Sequence, residues 1–161
     1  MTPTDARALV EATAEWSEWV PFAEALATAP TVPGVYLARE GEAGPIVYVG
    51  HAGEREGSGR PQGIRGRLAR YSSGKAIASG LGEAVLDRAL TDTAWLRARV
   101  AEAERGEAVR AAEWGKLAFI RADLHVCWAT TADKASALAL ETACDLALPT
   151  GSLWNRMRVR R

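Results

Sequence analysis

One carboxylate interrupts an apolar helical stripe near the end of the chain. The sequence after Thr130 predicts a helix to about residue 148, in which Leu138, Cys144 and Leu148 share a face with Glu141. Burying an unpaired carboxylate is costly, so this position calls for a cationic partner, and a bound metal ion or Arg67 would serve. The alternative is an exposed glutamate of the kind that alanine-rich helices often carry. The helix alone does not decide between the two.

Two tyrosines occupy a predicted β-hairpin earlier in the chain. Strand-forming residues run from Val35 to Leu37 and again from Ile46 to Val49, with turn-forming residues between the two runs. If residues 39 and 45 close the loop, Tyr36 stands directly opposite Tyr48 and both phenols lie on the same face. A register shift of one residue would separate them.

A helix with several arginines follows a glycine-rich segment. Ile64, Leu68 and Tyr71 recur on one helical face, and Arg67 precedes Tyr71 by four residues, which makes the two side chains neighbours on the helix surface. The segment 53–63 is expected to be a surface loop, and it lacks the GK[ST] of a phosphate-binding P-loop. The formal net charge is zero, so only local basic clusters can argue for an acidic partner. These clusters are Arg55, Arg60, Arg65, Arg67, Arg70 and Lys75, and then Arg156, Arg158, Arg160 and Arg161.

The remaining elements are expected to position these groups. A helix is predicted from Thr4 to Ala27, bent near Pro21. We favour a packing role over a partner-binding role for its apolar stripe, which consists of Leu9, Ala12, Trp16, Trp19 and Ala23. A helical insertion is predicted over about 76–117, with one helix from Leu81 to Leu90 and a second from Ala94 to about Leu117. There too we favour a structural role over a role in target selectivity. A third strand over 124–128 would turn Leu124, Val126 and Trp128 toward the core. Thr130 and Asp133 form a loose capping box before the last helix.

Composition places the chain among soluble globular proteins. Its 161 residues fit one domain, with 48% hydrophobic and 25% charged residues. It contains no run of about 20 apolar residues and no signal-peptide pattern, so we expect a cytoplasmic protein with no membrane partner. Cys127 and Cys144 are expected to be buried reduced thiols rather than a disulfide or a zinc site.

Several short motifs occur in the order found in one nuclease family. The chain reads GVY at Gly34 to Tyr36, YVG at Tyr48 to Gly50, RLARY at 67–71, ALALETACDLAL around Glu141 and SLWNRM around Asn155. Over roughly 32–71 and 126–155 it resembles the GIY-YIG nuclease superfamily, and RLARY resembles the R-L-x-x-Y of the amino-terminal nuclease domain of the repair excinuclease. The resemblance implies an α+β fold with a small, three-stranded, mainly antiparallel sheet flanked by helices. Residues 32–155 would form this core around the insertion, preceded by a helical extension over 1–30.

The resemblance also implies a set of site residues. Tyr36 and Tyr48 match the motif tyrosines, Arg67 the catalytic arginine, Glu141 the metal-binding glutamate and Asn155 the terminal asparagine. Tyr48 would activate water, Tyr36 would hydrogen-bond the water or the phosphate, and Arg67 would hold two phosphate oxygens with its planar fork. Glu141 would bind one Mg²⁺ or Mn²⁺ ion, and Asn155 would fix the geometry. Further contacts to nucleic acid are expected from His51, Arg65, Arg70, Tyr71, Lys75, Arg156 and Arg158.

The sequence therefore predicts a metal-dependent endonuclease that hydrolyses DNA, with RNA not excluded. One alternative is a catalytically silent module of the same fold that binds nucleic acid or a protein partner. Another is a structural protein built on its Trp-rich helices, which explains the amino terminus but leaves the order of the motifs to chance. Specificity, biological pathway and oligomeric state stay open.

Overall fold

A computed structural model describes residues 3–53, 62–107, 109–149 and 151–155 of the chain. Seven α-helices and four strands lie in these ranges. The helices are α1 (Pro3–Glu11), α2 (Ala25–Thr28), α3 (Gly63–Ser72), α4 (Gly80–Ala89), α5 (Thr93–Glu104), α6 (Ala111–Ala122) and α7 (Lys134–Ala147). The strands are β1 (Val20–Pro21), β2 (Gly34–Glu40), β3 (Ile46–Ala52) and β4 (Leu124–Thr130), and a 3₁₀ turn spans Phe22–Glu24. None of the described helices combines the length and apolar character that crossing a membrane requires.

The four strands form one antiparallel sheet in the order β1-β4-β2-β3. The α+β prediction is confirmed at this level. The described residues contain one strand more than the three predicted, because Val20 and Pro21 pair with Val126 and His125 at the edge of β4. At the opposite edge lies β3, which carries the second tyrosine motif.

The predicted helix from Thr4 to Ala27 is wrong between the end of α1 at Glu11 and the start of α2 at Ala25. Helix α1 ends at Glu11, and the chain then runs without regular structure before it enters β1. The stripe assigned to that helix is not a buried face, since Leu9 is 50% exposed. Trp16 and Trp19 pack against the sheet from an irregular segment instead. Their three-residue spacing fits a helix, but burial of the two indoles and pairing of Val20 with β4 favour extended chain.

The hairpin also departs from the predicted register. Tyr36 pairs with Gly50 and Tyr48 pairs with Ala38, and the ladder shifts between Ala38 and Arg39. A slip of two residues keeps both phenols on one face, whereas a slip of one would not. Gly50 explains this register, because a Cβ atom there would lie 2.3 Å from the hydroxyl oxygen of Tyr36. The bare glycine leaves room for the phenol.

The sheet separates two hydrophobic cores. The first core contains Tyr36, Val126 and Trp128 from the sheet and Ile64 and Leu68 from α3, and the stacked rings of Phe22 and Phe119 join it. The second core lies on the other face and contains Val35, Leu37, Cys127, Cys144 and Leu148. Both cysteines are free and buried, as predicted, and burial raises the pKa of both thiols.

The central insertion is built differently from its prediction. The predicted second helix, from Ala94 to about Leu117, is split at Gly106, whose φ of +75° places it in the left-handed region that favours glycine. Its second part, α6, continues to Ala122 and contributes Ala118 and Phe119 to the first core. The insertion is therefore not an appendage, because α6 is part of the core.

Helix α7 begins three residues later than the capping box predicts, and it ends close to the predicted position. Asp133, not Thr130, is its N-cap, and the Asp133 side chain accepts a hydrogen bond of 2.7 Å from the Ser136 N–H. The helix ends at Ala147, just before Pro149. Leu138 is 49% exposed, so the buried face of α7 is shorter than the apolar stripe predicted from the sequence.

Candidate active site

Three phenols form a cluster in the first core. The hydroxyls of Tyr36 and Tyr71 are 2.9 Å apart and share a hydrogen bond. The rings of Tyr36 and Tyr48 stack with their centroids 6.1 Å apart, and Tyr71 meets Tyr36 edge-on at 6.2 Å. The cluster joins β2, β3 and α3 through side chains that lie up to 35 residues apart in the sequence.

The first turn of α4 covers these phenols. The Leu81 N–H donates to the Tyr71 hydroxyl over 3.3 Å. A Cβ atom on Gly80 would lie 2.6 Å from that hydroxyl and 3.3 Å from the hydroxyl of Tyr48. Gly80 also has a positive φ of +57°. The insertion thus contributes to the site, and the glycine that begins α4 was the sequence signal that could have predicted it.

Burial governs the acidity of the two motif tyrosines. The pKa of Tyr36 lies well above its usual value because the side chain is desolvated, and the neighbouring Tyr71 and Tyr48 raise it further. Burial also raises the pKa of Tyr48, and Tyr71 and Glu141 add to the effect. The charge of Arg67 lowers the pKa of both phenols but does not offset burial. Both groups are therefore protonated near neutral pH.

Arg67 stands beside the phenols with no partner of its own in the described structure. Its guanidinium is partly buried on α3 and acts electrostatically on both Tyr36 and Tyr48. Among the described residues it forms no hydrogen bond or ion pair. A partly desolvated guanidinium without a counter-ion is a binding group for an anion.

Glu141 reaches the same strand from the other side of the sheet. Helix α7 packs on the second core, and the Oε2 atom of Glu141 lies 2.7 Å from Nδ1 of His51 at the end of β3. The two side chains are 23% and 29% exposed, and Glu141 raises the pKa of Tyr48. The edge position of β3 explains how groups from both faces meet, since no further described strand separates them. His51 was expected to contact nucleic acid, and its described partner is Glu141.

Asn155 supports the backbone of β3. Its Oδ1 accepts from the Val49 N–H over 3.2 Å, and its Nδ2 donates to the Val49 carbonyl over 2.7 Å. The side-chain amide thus bonds the N–H and the carbonyl of Val49 as the backbone of an adjacent strand would. Because Val49 lies between Tyr48 and Gly50, Asn155 fixes the strand that carries both.

The other predicted contacts have mixed positions. Tyr71 is 2% exposed and its hydroxyl is hydrogen-bonded to Tyr36, so its predicted contact with nucleic acid stays a prediction. Arg65 is exposed, but its Nε donates to the Ala29 carbonyl over 2.6 Å. Arg70 and Lys75 are exposed at the end of α3 and after it. Arg55, Arg60, Arg156 and Arg158 lie outside the described residues.

The acidic groups fit only a sparse metal site. No group of three or more His, Cys, Asp or Glu side chains suited to a metal ion occurs within the described ranges. Glu141 keeps one carboxylate oxygen beyond the His51 contact and is open to solvent. These residues fit one hard cation that takes a single carboxylate from this part of the protein and its other oxygens from water and substrate.

No family model, curated protein or solved structure matches this chain. The relation to the GIY-YIG superfamily is therefore a prediction from the motif residues alone.

Proposed function

We propose that the protein is a metal-dependent endonuclease that hydrolyses phosphodiester bonds in DNA through a GIY-YIG-type site. The observation that carries the proposal is the position of Arg67. Arg67 lies one helical turn before Tyr71, whose hydroxyl is hydrogen-bonded to Tyr36, and its charge lowers the pKa of both Tyr36 and Tyr48. It has no hydrogen-bond or ion-pair partner among the described residues, and Glu141 of α7 acts on the pKa of Tyr48 as well. Four elements, β2, β3, α3 and α7, thus contribute the residue types that the chemistry requires.

Arg67 binds the scissile phosphate in this proposal. A guanidinium presents two parallel N–H donors to two phosphate oxygens, and its charge stabilises the additional negative charge of the transition state. Burial beside Tyr36 and Tyr48 strengthens that effect because water screens it less. Lysine offers a point charge on a flexible stem and does not reproduce the paired donors.

Glu141 would hold a divalent cation, either Mg²⁺ or Mn²⁺. When bound, such an ion polarises a phosphate oxygen and lowers the pKa of a coordinated water. The contribution of the chain is to fix the carboxylate, and the hydrogen bond from His51 restrains its rotation. His51 is thereby a positioning residue for Glu141.

Tyr48 is the group that faces the nucleophilic water, and Tyr36 orients it. Both phenols are protonated near neutral pH, so Tyr48 acts there as a hydrogen-bond donor and acceptor, and its phenolate becomes available only as the pH rises. Tyr36 is held by Tyr71, which is held in turn by the Leu81 N–H. This chain of hydrogen bonds fixes the ring against which Tyr48 stacks.

Plasmid nicking tests the proposal. Supercoiled plasmid is incubated with the full chain and Mg²⁺ or Mn²⁺, in parallel with Arg67→Lys and Glu141→Gln. Matched controls are Arg97→Lys and Glu104→Gln, which make the same changes at exposed positions of α5. Metal-dependent nicking by the parent and the controls, lost in both site variants, supports the enzyme. Parent protein that nicks neither DNA nor an RNA substrate with either metal would overturn it.

A catalytically silent binding module is the second candidate. The observation that favours it is the burial of Tyr36 and Tyr48, which raises the pKa of both phenols and weakens them as bases. Such a module would retain plasmid in a gel shift without cutting it, and Arg67→Lys would weaken retention while Glu141→Gln would leave it unchanged.

A further inference from the structure

A second arginine without a partner lines a cavity on the opposite face of the sheet. Arg39 is 8% exposed, and its Nε atom is buried with no hydrogen-bond partner among the described residues. Its guanidinium stacks on the indole of Trp19, with Cζ 4.4 Å from the ring centroid. Strand alternation places Arg39 on the side of Val35 and Leu37, in the second core, away from the tyrosines.

Two arginines line this cavity, and one of them, Arg7, is ion-paired with Glu11 over 2.7 Å. The pKa of Arg39 is lowered first by burial and then by the charge of Arg7, which also lines the cavity. Glu42 and Glu11 oppose the lowering, but neither forms an ion pair with Arg39. A buried guanidinium that lacks a hydrogen-bonded counter-ion leaves desolvation uncompensated, and a bound anion would compensate it.

The cavity walls are otherwise largely apolar. The volume is about 490 Å³, and the wall includes the indole of Trp19 and the side chains of Ile46, Leu148 and Pro149. A second buried nitrogen without a partner among the described residues occurs nearby, since His125 pairs with Arg39 in the sheet and its Nδ1 is unsatisfied. Apolar walls around a few convergent polar groups are typical of small-molecule sites.

We propose that this cavity binds a small organic carboxylate with an apolar body. The carboxylate would lie against the guanidinium of Arg39, and the apolar body would fill the space beside Trp19 and Ile46. Arg7, which also lines the cavity and is ion-paired with Glu11, would contribute less than Arg39. A planar carboxylate matches the fork of a guanidinium, and the apolar walls disfavour a strongly hydrated ion such as free phosphate. The site is separate from the tyrosine cluster and does not depend on nuclease activity.

A matched pair of probes tests the proposal on the full chain. Uniformly ¹⁵N-labelled protein is titrated with 2-naphthoate and, separately, with 2-naphthamide, which has the same ring system without the charge. We expect saturable shifts of the Arg39 Nε–H and Trp19 Nε1–H signals with 2-naphthoate, and at least about tenfold weaker binding of 2-naphthamide. Sodium phosphate, as a third probe, should not produce saturable shifts at these two signals.

Three variants complete the test. Arg39→Met keeps the length of the side chain and should weaken 2-naphthoate binding at least about tenfold, while Arg97→Met, at an exposed position, should not change it. Arg7→Gln alters an exposed residue, so it should fold, and it should weaken binding about threefold. If Arg39→Met does not fold, the comparison of the two naphthalene probes and the Arg7→Gln variant still test whether the cavity binds a carboxylate. Equal affinity for the two naphthalene probes, or no saturable shift at Arg39 and Trp19, would show that Arg39 is only a structural stack on the indole.

Discussion

Two arginines without partners in the described structure occupy opposite faces of one sheet, and their surroundings differ. Arg67 lies beside titratable phenols and shares Tyr48 as a neighbour with a carboxylate. Arg39 lies on an indole in a largely apolar cavity. The first environment contains groups that can move protons, whereas the second contains mainly groups that exclude water. This difference is the reason why we propose chemistry at Arg67 and ligand binding at Arg39.

The largest expected effect is on plasmid nicking, and it should distinguish the function proposed for Arg67 from the one proposed for Arg39. Arg67→Lys should reduce plasmid nicking at least about 100-fold, about 3 kcal/mol of transition-state stabilisation, because lysine cannot hold two phosphate oxygens. Arg39→Met should leave the nicking rate within about twofold of the parent. Initial rates from gel densitometry, at equal amounts of folded protein, provide the measurement. If Arg39→Met lost nicking as Arg67→Lys does, the two faces would not be functionally separate.

Substitution of the glycine beside the tyrosine cluster should have the next largest effect, on the free energy of unfolding. Gly50→Ala places a methyl group against the buried phenol of Tyr36, and we expect a loss of about 3 kcal/mol in the free energy of unfolding, since such overpacking forces a core ring to move. Gly106→Ala is the control, because a Cβ there would meet nothing within 4 Å. That substitution should cost only about 1 kcal/mol, through the strain of a side chain at a φ of +75°. Urea denaturation monitored by circular dichroism gives both values. Equal effects of the two substitutions would contradict the observed register.

These glycines show where sequence reasoning succeeds and where it stops. The hairpin, α3, β4 and α7 follow from local periodicity, and each is present in the structure. The register of the hairpin is not local, because it depends on the contact between Gly50 and the ring of Tyr36 on the other strand. The cover of Gly80 and Leu81 over Tyr71 likewise depends on how the insertion folds back. The helix predicted over Trp16 and Trp19 was wrong because the spacing of these residues is compatible both with a helix and with an irregular segment that packs on the sheet.

Alkaline pH should destabilise both faces in succession. Burial raises the pKa of Cys127 in the second core and of Tyr36 and Tyr48 in the first. A group whose pKa is higher in the folded protein keeps its proton there after the unfolded chain has lost it, so the free energy of unfolding falls as the pH rises above the unfolded value. The fall should begin above about pH 8.5 from the buried thiols of Cys127 and Cys144 and steepen above about pH 10 from the phenols, by up to about 1.4 kcal/mol per pH unit for each group.

Single substitutions assign the two phases of this loss. Cys127→Ala should reduce the phase that begins near about pH 8.5, and Tyr48→Phe should reduce the slope above about pH 10. Urea unfolding measured at intervals of about half a pH unit, from about pH 7 to about pH 11, resolves them. A profile that stays flat across this whole range would contradict the burial of these side chains.

The smallest expected effect concerns Asn155, which supports the edge strand from outside both cores. Asn155→Asp retains the acceptor for the Val49 N–H but replaces the amide that donates to the Val49 carbonyl, and one lost hydrogen bond corresponds to about 1 kcal/mol in the free energy of unfolding. Nicking should fall about tenfold, less than for Glu141→Gln, because Asn155 acts on Tyr48 only through the backbone of β3. Asn155→Ala, which lacks both groups, should be worse in both measurements. If Asn155→Asp instead abolished nicking without affecting stability, the Asn155 side chain would contact the substrate directly. The edge of β3 would then bind substrate in addition to supporting the tyrosine cluster.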